Sequence, residues 1–145
     1  MIVFLLLALL VGALLPVQAG INLQLRVILG HPLGATLVSF LVGALGLTAL
    51  VAALRVPLPI GAAWARGEWW HWIGGLLGAV YIVATIVVAP RLGAATLVAA
   101  LVAGQMLASL ALDQFGWVGF PVHPISLSRV VGAALIVCGV ALVQR

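Results

Sequence analysis

From Leu33 to Leu54 the chain carries no charged residue, over about the length that a helix needs to cross the hydrocarbon core of a bilayer. No other feature constrains the fold as tightly. Hydrocarbon offers the backbone no water, so a spanning segment must satisfy its own N–H and C=O groups, as a helix does. Similar apolar runs recur along the chain. Of its 145 residues 66% are hydrophobic and 6% charged, with a mean hydropathy of +1.42. A soluble domain of this size cannot hide that much apolar surface, so the sequence predicts an all-α integral membrane protein.

The breaks between runs divide one membrane domain, residues 1–145, into five transmembrane helices at about 2–25, 33–54, 69–89, 94–112 and 127–143. Met1 to Gly20 closes on Val17-Gln18-Ala19-Gly20, which imitates a secretory cleavage site. No Lys or Arg precedes the run, however, and apolar sequence resumes at Ile21, so it is read as the first span, with a kink at Pro16. His31-Pro32 ends it. Arg55 to Glu68, with Pro57, Pro59, Arg66 and Gly67, is expected to be an aqueous or interfacial loop, and Trp69, Trp70 and Trp72 fit an aromatic belt at headgroup level. Pro90-Arg91-Leu92-Gly93 is short enough only for a tight hairpin. Asp113 to Ser126, rich in Gly, Pro, Trp and Phe, reads as a loop along the interface, with Ser126 or Ser128 capping the last helix.

Five spans place the termini on opposite sides of the membrane. Arg55, Arg66 and Arg129 then fall on the amino-terminal side and Arg26, Arg91 and Arg145 on the other, an even division of the six basic residues. The positive-inside rule thus leaves orientation undecided. Such a chain can insert both ways and assemble as an antiparallel homodimer. The pI of about 11.3 arises from scattered arginines without a basic cluster, so nucleic acid is not an expected partner.

Two polar stripes interrupt the apolar helices. Gln105, Ser109 and Asp113 are four residues apart in turn, and Gln18, Asn22 and Arg26 repeat that spacing on the first helix. Each stripe ends in a charge. Polar side chains in hydrocarbon are costly unless they bond across helices or line a wet cavity. Singly, each could be interhelical glue; together, two stripes can converge on a pathway. In an antiparallel dimer Arg26 of one copy comes level with Asp113 of the other. Asp113 also sits where the helix dipole disfavours an anion, so a compensating partner or local water is expected. Ser39 and Tyr81 are further mid-helix candidates for lining a pathway, although Ser39 suits a backbone-bonded helix serine and Tyr81 ordinary packing equally well.

No catalytic constellation is present: no His and acid are placed to activate Ser39 as a nucleophile. His31, His71 and His123 lack ligand spacing, and Cys138 stands alone in an apolar run, so neither a metal nor another cofactor is expected. The small residues of Gly74-Gly75-Leu76-Leu77-Gly78-Ala79 allow close helix packing and imply no function by themselves.

Several phrases in combination, Gln18-Ala19-Gly20-Ile21-Asn22, Ser39-Phe40 with Gly43, Gly74-Gly75-Leu76-Leu77-Gly78-Ala79, Ala89-Pro90-Arg91-Leu92-Gly93, Gly104-Gln105, and Asp113-Gln114-Phe115-Gly116 followed by Arg129, Gly132 and Gly139, resemble the short, five-helix YdcZ-like family of the drug/metabolite transporter superfamily. The resemblance covers nearly the whole chain. It implies half of a ten-helix inverted-repeat fold, a multi-pass place in the bacterial inner (plasma) membrane, and an antiparallel homodimer. The small multidrug exporters of that superfamily carry a membrane-embedded Glu on the first helix. Here Gln18 and Asn22 occupy that region, so exchange of protons through such a carboxylate does not carry over.

The expected function is a secondary transporter for a small metabolite or drug-like solute, with its site between helices 1 and 4 lined by Gln18, Asn22, Arg26, Ser39, Tyr81, Gln105, Ser109 and Asp113. The alternatives are a dual-topology passive channel and a non-transporting subunit of a membrane assembly. The partners expected are the lipid bilayer, a second copy of the chain and a small molecule that the sequence does not identify.

Overall fold

The computed structural model describes residues 1–144. It is all-α, with helices α1 (Ile2–Leu29), α2 (Pro32–Ala53), α3 (Ile60–Arg66), α4 (Gly74–Phe115) and α5 (Leu127–Val143), and short 3-10 turns at Trp69–Trp72 and Trp117–Gly119. Three of these, α1, α2 and α4, are long and apolar enough to cross a membrane. The chain forms two compact units, Met1–Val87 and Val88–Arg145.

In the first unit α1 packs on α2. The turn between them follows from local chemistry. Gly30 takes the left-handed conformation that ends a helix, φ 75°, and its N–H donates to the Arg26 carbonyl at 2.8 Å. One residue on, His31 caps α2 through Nδ1, which accepts from the Leu33 N–H at 3.2 Å, and Pro32 supplies a preset φ at the first helical position. The core is small: Ala35 of α2 packs with Ile82 and Ile86 of α4, and Leu25 and Tyr81 cover it. Most large side chains of α1 and α2 are exposed in the isolated chain, the inverse of a soluble protein and the arrangement that lipid requires.

The Arg55 to Glu68 segment is more ordered than a loop. Pro59 leads into Ile60–Arg66, which holds three alanines, the strongest helix formers, and forms α3. Trp64 of that helix stacks at a tilt on Trp72 with ring centroids 5.1 Å apart, and Trp69 meets Trp70 edge to face at 5.7 Å. The Glu68 N–H donates to His71 Nδ1 at 2.8 Å and fixes the 3-10 turn. Regular α-helix therefore resumes only at Gly74.

In the second unit a single residue breaks α4. Gly93 has φ 74° and ψ 167°, a conformation essentially closed to residues with a Cβ, where the sequence predicts a hairpin. The α4 helix ends at Phe115, one turn beyond the expected boundary, and Gly116 turns left-handed at φ 64°. After the turn at Trp117–Gly119, Ser126 caps α5, its Oγ accepting from the Arg129 N–H at 3.4 Å. Leu97, Ala103, Leu110 and Ala133 are the buried apolar residues of this unit.

Candidate functional site

The α1 stripe turns into the first unit. Gln18 is exposed, Asn22 keeps only 3% of its surface, and Arg26 is half-buried. The guanidinium of Arg26 donates from Nη1 to the backbone carbonyl of Ile86 at 3.1 Å, although Ile86 lies inside α4, where carbonyls are normally taken. The reason is in the sequence. Ile86 would receive its helical bond from the residue four positions on, and that residue is Pro90, which has no N–H. Arg26 fills the vacancy, in a place where an orphaned carbonyl costs several kcal/mol in lipid, on the order of 2–7.

Around this contact the neighbouring hydroxyls are satisfied locally. Thr36 Oγ1 donates to the Pro32 carbonyl at 3.0 Å, and Thr85 Oγ1 donates to the Ile82 carbonyl at 2.8 Å; both threonines are buried. Ser39 and Tyr81 are half-buried, Tyr81 against the Ala35–Ile82–Ile86 core. Neither they nor Asn22 makes a side-chain hydrogen bond among the described residues.

The α4 stripe behaves differently. Gln105 and Ser109 lie on an exposed face of the helix, away from buried Ala103 and Leu110, and make no side-chain hydrogen bond among the described residues. Asp113, half-buried, pairs with Arg129: Arg129 Nη2 donates to Asp113 Oδ2. The anion at the C-terminal end of α4 thus finds a counter-charge in its own chain, in the first turn of α5.

A hydrogen-bonded knot surrounds the pair. Arg129 Nη1 donates to the His123 carbonyl at 2.8 Å, the His123 N–H donates to the Asp113 carbonyl at 2.8 Å, and the Ile125 N–H donates to Gln114 Oε1 at 2.6 Å. Asp113, His123, Pro124 and Arg129 line a hollow of about 470 Å³. Arg129, His123 and Gln114 are the residues that sequence reasoning leaves out of this region. The signal for Arg129 was an acid at a helix C-terminus, which calls for a nearby cation, followed by the next helix start with an arginine in its first turn.

The family described as "Putative inner membrane exporter, YdcZ" matches residues 3–142. The chain is 34% identical to the inner membrane protein YdcZ of Escherichia coli (strain K12) over 125 residues, covering 86% of this chain and 74% of that protein. No solved structure matches it. With its membrane-length helices and this match over almost its full length, the chain is a multi-pass inner membrane protein that belongs to the YdcZ family of the drug/metabolite transporters.

Proposed function

We propose that the chain is a secondary transporter of a small solute, formed by two copies inserted in opposite orientations as the halves of a ten-helix inverted repeat. Each pathway is built from both copies, with the polar stripe of α1 from one and that of α4 from the other. Gln18, Asn22, Arg26, Gln105 and Ser109 line it, Ser39 and Tyr81 stand beside the α1 residues, and Asp113, tied to Arg129, sits at a mouth. A transporter-like role is what the exporter description of its family supports.

The observation that carries this reading is the exposure of Gln105 and Ser109 on a membrane-length apolar helix with no partner among the described residues. An amide facing lipid is costly, so the exposed stripe needs a polar counterpart or water. A second copy supplies the polar face, and the even division of arginines permits the inverted insertion that brings it there. Inverted repeats around a midplane site are the usual architecture for alternating access.

The test is accessibility. In a Cys138→Ala background, Gln144→Cys is labelled with a membrane-impermeant maleimide from each side of sealed vesicles. Comparable labelling from both sides is expected, and labelling from one side alone overturns the antiparallel assembly. Saturable counterflow in proteoliposomes is expected of the carrier; single-channel current would replace it with a channel.

A further inference from the structure

We propose that Asn22 and Arg26 form the binding site for a carboxylate, and hence that the transported solute is an organic anion. This rests on the transporter reading above and adds the charge of the solute.

The argument is one of charge and unused donors. The chain has two acidic residues, Glu68 and Asp113. Asp113 is paired with Arg129. Glu68 is exposed and caps the Trp69–Trp72 turn, where its own N–H is held by His71. Neither meets Arg26, whose one side-chain bond among the described residues goes to the Ile86 carbonyl, a neutral acceptor. A guanidinium carries several N–H donors in a flat fork that matches a carboxylate. Most of that fork is left over.

Asn22 stands one helical turn before Arg26 on the same face of α1. It is 3% exposed, yet its amide makes no hydrogen bond among the described residues. No side-chain nitrogen or oxygen among the described residues is both sealed off and without a partner, so the unpaired Asn22 amide stays within reach of a ligand, while a half-buried cation with no counter-ion in a low-dielectric setting is costly. One ligand group would use both: an oxyanion bound by the Arg26 fork that also accepts from the Asn22 amide. Thr36 and Thr85 have given their hydroxyl protons to helix carbonyls and add no competing donor. A cationic solute would meet an uncompensated positive charge.

The experiment uses the purified full-length protein in neutral detergent and thermal unfolding as the readout. The probes are acetate, benzoate, succinate and glutamate, each against its uncharged amide, with benzamidine as a cation. At least one carboxylate should raise the melting midpoint, with its amide and benzamidine without effect. Arg26→Gln should weaken that affinity by about tenfold or more, the scale of one charge-assisted hydrogen bond. Because Arg26→Gln also disturbs the Ile86 carbonyl, Asn22→Asp is the second variant. It sets an acid four residues before the arginine, the favourable order on a helix. It should keep the fold and lose carboxylate binding, because the site then holds its own anion.

If no carboxylate stabilises the protein, or if Asn22→Asp binds as well as the wild type, the proposal fails. Anionic phosphatidylglycerol is tested alongside: Arg26-dependent stabilisation by this lipid that the carboxylates do not displace would assign the site to a headgroup and overturn the solute assignment. Uptake of a neutral or cationic solute into proteoliposomes, insensitive to Asn22→Asp, would leave the transporter standing and remove the charge assignment. Carboxylate binding without any flux would do the reverse.

Discussion

Replacing Arg129 with methionine removes the counter-charge of Asp113 and the bond to the His123 carbonyl while keeping the length of the side chain. The side chains of Arg129 and Asp113 are 32% and 21% exposed. That places the pair between an exposed ion pair, worth about 0–1 kcal/mol, and a buried one, whose rupture costs about 3–5 kcal/mol. The lost bond to His123 adds about 1 kcal/mol, and the helix dipole at the end of α4 penalises the stranded carboxylate by about 0.3–1 kcal/mol. Arg129→Met should therefore destabilise the second unit by about 2–4 kcal/mol. Asp113→Asn, which keeps an acceptor for Arg129, should cost about 1–2 kcal/mol. The double variant should be less damaged than the two single effects added together, with a coupling of about 1–2 kcal/mol. Unfolding of the four proteins in detergent, followed by circular dichroism against denaturant, closes the cycle. A coupling within about 0.3–0.5 kcal/mol of zero, the margin expected for independent sites, would show that the pair does not hold the end of α4 to the start of α5.

Pro90→Ala returns an N–H to the Ile86 carbonyl, so Arg26→Gln should cost clearly less stability in that background than in the wild type, and equal losses in the two backgrounds would refute the vacancy account. Gly93→Ala should lower stability by about 1–3 kcal/mol, because its backbone conformation excludes a Cβ; an unchanged melting midpoint would contradict the break. Ile86→Ala opens a void at a side chain that is fully buried and should cost about 2–5 kcal/mol, measured in the same denaturant titration.

Much of the architecture could be read in the residues because lipid makes the rules strict. The His31-Pro32 break needed only a capping side chain and a proline at the first helical position, and the polar spacing of Asp113 with Gln105 and Ser109 needed only helical periodicity. The α3 helix was obscured by its flanking prolines and glycine, which mask three alanines between them. The partner of Asp113 was hidden for a different reason. An acid at a helix end states that a cation is wanted, but which arginine answers depends on how the intervening loop closes, and that closure is set by backbone bonds such as His123 to Asp113. Arg26 is similar: Pro90 names the orphaned carbonyl, and only the packing of the first unit names the donor that reaches it.

The helix lengths also carry a consequence for the membrane itself. With about 1.5 Å of rise per residue, the 28 residues of α1 span ~42 Å, whereas the 17 residues of α5 span ~26 Å. A hydrocarbon core of about 30 Å matches neither. The long helix is accommodated by tilting, at a small elastic cost per ångström, whereas α5 is shorter than the core and could reach across it only where the surrounding lipid thins. Lipids with shorter acyl chains should therefore steepen the tilt of α1 and narrow the gap between α5 and the core thickness.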